Sequence, residues 1–190
     1  YLQLLASTNE AQIVLLAEVH IDADQIDAVK TRLRRQGWTA HISPATPTGR
    51  SEDGNSGGAM VLVRSYLDAR IFNFQIHKAT STALADMAQG WDWAAMELQL
   101  QEYRFSLVAL YCSCAIGMTG VNLDKLSQIT SYIRAVGIPV LIGADWNMEV
   151  PEVLEWLKAN DLVPLPPGDV KQTCITGRML DWYAATHSMM

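Results

Sequence analysis

Two acidic side chains and an amide stand where strand ends would present them. Asp145 and Asn147 lie two apart in Gly143-Ala144-Asp145-Trp146-Asn147, directly after an apolar run at 138–142. At the strand period of two, both side chains point to one side, setting a carboxylate beside a neutral amide. The carboxylate can deprotonate or orient water, and the amide can donate to a phosphoryl oxygen without adding repulsive charge. An Asx turn that merely ends the strand is the plainer alternative. Glu18 follows the apolar run 12–17 in the same way, and taken alone it reads as an acidic residue leaving a sheet. Asp181 is stranger, because Leu180, Trp182 and Tyr183 surround it. A carboxylate in an apolar strand needs a partner, so a hydrogen-bonded histidine or arginine is expected. Of the local candidates, Arg178 at a strand end reads as solvated, and His187 is six residues on, too far along an extended strand.

The elements that must carry these groups are legible from periodicity. Residues 12–17 form a short aliphatic run consistent with a strand covered on both faces. Asp22 and Gln25 have the spacing of a capping box, and Ile26, Val29 and Leu33 supply the apolar face of a helix that Gly37 ends. Strands are expected at 38–42, at 59–63 after Gly57-Gly58, and at 69–76, with 43–56 a loop rich in proline, glycine and serine. Residues 78–91 show no clear period and read as loop or short helix. Met96, Leu98 and Leu100 alternate with Glu97, Gln99 and Gln101, the pattern of a half-buried strand, and 105–111 is its hairpin partner. Leu123, Leu126, Ile129, Ile133 and Val136 repeat at helical spacing up to Gly137. The strand at 138–142 follows, then a helix opened by Pro151, a loop at 164–168, and strands at 173–176 and 179–185. Hairpins mixed with strand-helix-strand units imply a mixed sheet system with helices outside, an α/β or α+β sandwich in a single domain over 1–190.

Composition limits the partners. The chain has 190 residues, 49% of them hydrophobic, and a net charge of −6, so no global basic field would hold nucleic acid and any such contact must be local. Arg32, Arg34 and Arg35 read most simply as the solvated face of the first helix. Three cysteines, Cys112, Cys114 and Cys174, are an odd number and fit a reducing setting, nuclear or cytoplasmic. Cys112 and Cys114 share a strand face but lack the companions of a metal site and read as small buried residues. No apolar run reaches the ~18 to 20 residues of a membrane span. The chain opens on Tyr1 and closes on an apolar stretch, so both ends read as cut.

Taken in order, the segments Leu15-Leu16-Ala17-Glu18-Val19-His20, Ser56-Gly57-Gly58-Ala59-Met60-Val61-Leu62-Val63, Phe105 to Tyr111, Leu141-Ile142-Gly143-Ala144-Asp145-Trp146-Asn147-Met148, and Thr173 followed by Arg178-Met179-Leu180-Asp181-Trp182-Tyr183 resemble the endonuclease/exonuclease/phosphatase superfamily. That superfamily includes abasic-site endonucleases, pancreatic-type deoxyribonuclease, retroelement endonucleases, sphingomyelinases and inositol polyphosphate phosphatases. The resemblance implies a four-layered α/β/β/α sandwich with an active site at one end of the paired sheets, here lacking the outer N- and C-terminal strands. It implies that Glu18 binds magnesium or manganese, that Tyr111 contacts a phosphate oxygen, that Asp145 activates water, that Asn147 steadies the phosphoryl group and that Asp181 orients a histidine. Two departures stand beside it: no asparagine precedes Glu18 in an opening strand, and the chain has no Ser-Asp-His triplet. His187 lies too close to Asp181 to replace it. The resemblance implies a metal-dependent phosphodiester hydrolase acting on nucleic acid, DNA first, of retroelement-endonuclease type, with this piece inactive or nearly so by itself. A phosphatase or phospholipase on small or lipid phosphoesters and a scaffold without chemistry are the alternatives. Missing outer strands would leave sheet edges open to self-association, so poor solubility is expected.

Overall fold

The computed structural model of the chain describes residues 11–47, 54–71, 91–168, 172–175 and 177–190. Strand β1 (Ile13–Ala17) leads through a 3-10 turn at Ala23–Gln25 into helix α1 (Ile26–Arg35) and strand β2 (Trp38–Ser43). A two-residue ribbon pairs β3 (Thr46–Pro47) with β4 (Asn55–Ser56). Strand β5 (Ala59–Arg64) then returns between β1 and β2, antiparallel to both, to make a three-stranded sheet in the order β1-β5-β2. All six β5 residues are aliphatic or long-stemmed, and five are buried, as a central strand covered on both faces requires.

The second sheet has six strands. β6 (Asp68–Ile71), β7 (Trp93–Leu100) and β8 (Tyr103–Tyr111) form an antiparallel meander. Helix α2 (Gly120–Val136) crosses back to β9 (Val140–Asp145), which lies parallel to β8. Helix α3 (Val150–Ala159), strand β10 (Leu162–Leu165) and strand β11 (Asp181–Thr186) complete the order β10-β11-β9-β8-β7-β6. Gly137 ends α2 in the left-handed region at φ 60, and its N–H donates to the Ile133 carbonyl.

Three hydrophobic clusters mark the interfaces of four layers. Leu33, Trp38, Ile42 and Leu62 lie between α1 and the first sheet. Val61, Val63, Met96, Leu98 and Leu107 fill the space between the sheets. Leu126, Ile129, Val153, Leu157, Trp146 and Trp182 join the second sheet to α2 and α3. The architecture is thus the four-layered α/β/β/α sandwich. Among the described residues no helix is long and apolar enough to cross a membrane.

Local differences from the sequence reading have physical causes. Asp22 does not cap the first helix; its Oδ1 accepts instead from Asn55 Nδ2 at 2.7 Å. Strand β7 is more than half-buried, because Trp93 and Ala95 on its second face pack against helix α2, although Gln99 stays partly exposed. Glu97 is 8% exposed there and pairs with Arg104. Residues 173–175 form a bend and turn rather than a strand. The loop expected at 164–168 begins as edge strand β10, in which Pro164 pairs with Ala184. Residues 72–76 of the expected 69–76 strand, residues 78–90, and part of the 43–56 loop lie outside the described residues.

Trp146 and Trp182 stack with ring centroids 4.2 Å apart and 11° between planes, and neither is more than 1% exposed. Trp182→Ala is expected to cost about 3–5 kcal/mol, the range for truncating a buried aromatic, read as a fall in the urea midpoint. A loss below about 1 kcal/mol would mean that the stack does not anchor this end of the sheet.

Candidate active site

The five residues singled out above meet at one end of the paired sheets. Asp145 is the last residue of β9, with Tyr111 of parallel β8 as its register partner on one side and Asp181 of antiparallel β11 on the other. Glu18 follows β1 directly and takes a left-handed φ of 53. The N–H groups of Val19 and His20 donate to the carbonyls of Gly58 and Gly57, at 3.4 and 3.2 Å, which lays this segment over the start of β5.

Asp145 and Asn147 do face one side, with Trp146 between them pointing into the core at 0% exposure. Trp146 Nε1 donates to the Trp182 carbonyl at 3.0 Å, and Trp182 Nε1 to the Met148 carbonyl at 3.2 Å. The Asx turn is present as well: Asn147 N donates to Asp145 Oδ1 at 3.1 Å, and Asn147 adopts φ 50, a conformation asparagine tolerates. The Asn147 side-chain amide donates to the Cys112 carbonyl at 2.7 Å, which fixes its plane.

Asp181 is not the buried acid its neighbours suggested. Strand alternation buries Trp182 and leaves Asp181 and Tyr183 exposed on the opposite face. Arg178 pairs with Glu152 at 2.7 Å and not with Asp181, and the His187 N–H donates to the Asp161 carbonyl. What fixes Asp181 is Thr173, whose hydroxyl oxygen accepts from the N–H groups of Leu180 and Asp181 at 2.7 and 2.9 Å. A cleft of about 300 Å³ opens beside these groups, lined by Leu15, Ala17, Asp145, Pro167, Asp181 and Tyr183 among others.

The electrostatics follow from crowding. Burial first, and then the neighbouring Asp181 carboxylate, push Asp145 from the ordinary 3.8 up to about 6, with Glu18 adding to the rise. Hydrogen bonds from Asn147 oppose it. Burial raises the Tyr111 phenol to about 12, opposed by a hydrogen bond with Ser56, and Glu18 again contributes. Glu18 pairs with His20 at 3.6 Å, and His20 Nδ1 lies 3.1 Å from the Asn55 carbonyl. Asp145 thus has two further carboxylates, Asp181 and Glu18, close enough to disfavour its charge, and a cation there would relieve it. Among the described residues no three His, Cys, Asp or Glu are arranged as a ready-made cage. The half-exposed Glu18 could serve as one ligand to a magnesium ion, which keeps most of its water and takes one or two carboxylates.

The sequence reading missed Asp92 and Lys125, a buried ion pair at 2.7 Å directly behind Tyr111. Lys125 had one legible signal, its place on the same face of α2 as Ile129, four residues on. Cys112 and Cys114, read as a similar pair, differ: Cys112 is buried and Cys114 exposed.

The raised Asp145 value predicts a stability effect with a definite sign. Folding raises this pKa from 3.8 to about 6, so the favourable contribution is complete below about 4 and lost as pH rises through 6. Asp145→Asn mimics the protonated form. It should stabilise the fold by roughly 1–2 kcal/mol at pH 7.5, allowing for solvent screening of a partly exposed group, and by almost nothing at pH 3.5. Equal melting temperatures for the two proteins at pH 7.5 would contradict the shift.

No protein-family model matches the chain, and no curated protein matches it. Solved structures do. The endonuclease domain of TRAS1, a telomere-specific non-LTR retrotransposon, superimposes with a TM-score of 0.63 at 18% identity, covering 99% of this chain and 78% of that one. The human Nocturnin catalytic domain with bound sulfate anion gives 0.62 at 18%, covering 97% and 72%. An endonuclease/exonuclease/phosphatase family protein from Bacteroides thetaiotaomicron gives 0.58 at 11%, covering 98% and 73%. The chain therefore has the fold of the endonuclease/exonuclease/phosphatase superfamily.

Proposed function

We propose that the chain forms the core of a metal-dependent phosphodiester hydrolase acting on nucleic acid, of endonuclease type. The observation that carries this reading is the convergence of Glu18, Tyr111, Asp145, Asn147 and Asp181, from four separate regions of the chain, on one sheet end beside an open cleft. A fold shared with the TRAS1 endonuclease domain and with a catalytic domain that holds a sulfate anion supports it.

Each group has a role its surroundings suit. Asp145, with a pKa of about 6, is ionised at neutral pH yet basic enough to take a proton from an attacking water. The Asn147 amide and the Tyr111 hydroxyl, which stays protonated throughout the physiological range, donate to phosphoryl oxygens where charge builds. Asp181 keeps the Asp145 carboxylate basic by repulsion. A magnesium or manganese ion held at Glu18 would supply Lewis-acid polarisation of a phosphoryl oxygen. A second reading, a phosphatase or phospholipase on small or lipid phosphoesters, is favoured by the net charge of −6, which repels a polyanion.

The chain carries no Ser-Asp-His triplet, so we expect no more than trace turnover from the 190 residues alone. The test uses the domain expressed with its reading frame extended on both sides. Magnesium-dependent nicking of supercoiled plasmid is expected, reduced at least about 100-fold by Asp145→Ala, in keeping with loss of a general base. Phosphate release from an inositol polyphosphate without nicking would replace the nuclease with the second reading. Neither activity would leave a scaffold.

A further inference from the structure

Behind Tyr111 lies an ion pair that packing alone does not demand. Lys125 Nζ stands 2.7 Å from Asp92 Oδ2, with the two side chains only 6% and 12% exposed. Such a pair costs more in lost hydration than its attraction returns unless the remaining hydrogen-bonding capacity is filled. Here it is filled by backbone groups and one serine hydroxyl beside the candidate site. Lys125 Nζ donates to the Tyr111 carbonyl and to Ser113 Oγ, each at 3.1 Å. Asp92 Oδ1 accepts from the Gly58 N–H at 2.7 Å, and the Asp92 carbonyl accepts from the Tyr111 N–H at 2.8 Å. The ammonium also lies 5.3 Å from the centroid of the Tyr111 ring, within cation–π range.

The contacts join the ends of three strands from two sheets. Gly58 immediately precedes β5 of the first sheet, while Asp92 immediately precedes β7 and Tyr111 ends β8 of the second. The fit is close: a Cβ on Gly57, itself at φ +78, would lie 2.1 Å from Asp92 Oδ1 and 3.0 Å from Tyr111 Cδ1. Asp92 is held at φ 52, an uncommon conformation that persists only where surroundings fix it. Two apolar side chains would fill this volume at lower electrostatic cost, but would hold neither backbone.

We propose that the buried Asp92–Lys125 pair is a positioning device for Tyr111, locking its backbone and ring against the Gly57-Gly58 turn so that its hydroxyl is held at Ser56, within the field of Glu18 and Asp145. The benefit to catalysis rests on the phosphoesterase reading; the fixed position of Tyr111 does not. Charge-paired anchoring of this kind sets geometry in advance of substrate, where small displacements of a contacting group are costly.

The test is fluorine NMR on the 190-residue chain labelled with 3-fluorotyrosine, with the Tyr111 signal assigned by its loss in Tyr111→Phe. Tyr132, which bonds Ser106 on the inner face of α2, serves as control. In Lys125→Met, and in Asp92→Asn with Lys125→Met, where no orphan charge remains, the Tyr111 signal is expected to move and broaden while that of Tyr132 holds. Ser113→Ala loosens the same tether without touching either charge, and should shift Tyr111 in the same direction by less. This third variant carries the test if the first two fail to fold. A merely structural pair would lower the melting temperature and leave the Tyr111 signal of the folded protein in place, and that result overturns the proposal. Inorganic phosphate with magnesium is the separate probe of function, with binding expected to weaken at least threefold in the folded variants. A displaced Tyr111 in these variants, with a frame-extended domain that neither nicks plasmid nor releases phosphate, would sink the phosphoesterase reading and leave the positioning role standing.

Discussion

The stacked indoles of Trp146 and Trp182 are the constraint on which the candidate site depends. Each belongs to a strand end whose alternate residues face the cleft, so burying the two rings against α3 turns Asp145, Asn147 and Asp181 outward together. Both ring N–H groups donate to backbone carbonyls across the β9–β11 junction. The aromatic core therefore fixes the backbone as well as filling volume, and the polar groups inherit a rigidity their own hydrogen bonds would not provide.

On that base the chain accepts electrostatic strain. Asp145 is partly buried, flanked by a second carboxylate across the sheet and within the field of a third. A fold selected for stability alone would place a neutral side chain there, since nothing in the core requires the charge. A carboxyl perturbed in this way is a physical reason to look for function at Asp145, where stability can be exchanged for chemistry.

How far the sequence disclosed this depends on the range of the interactions involved. Strand and helix positions came through because periodicity is local: the aliphatic run before Glu18, the helical stripe ending at Gly137 and the strand leading into Asp145 all appear where expected. The convergence of Glu18 with Asp145 was reached through resemblance, since no local pattern says which strand ends meet. Errors arose where a neighbour in space overrides a neighbour in sequence. Glu97 looked solvent-facing, yet it is buried beside Arg104 of the neighbouring strand, and Asp181 looked buried although only Trp182 beside it turns inward. Asp92 was invisible, because its partner is 33 residues away and its own surroundings show no period.

Pro164 gives the six-stranded sheet a direction of growth. Among the described residues it sits in the outermost strand on that side, paired inward with Ala184, and a residue without an N–H offers one donor fewer to a newcomer. Additional strands are thereby discouraged along that border. The three-stranded sheet, whose β1 is aliphatic, partly exposed and free of proline, offers the more hospitable margin. Among the described residues, β1 is therefore the border at which a pairing strand would meet no missing N–H.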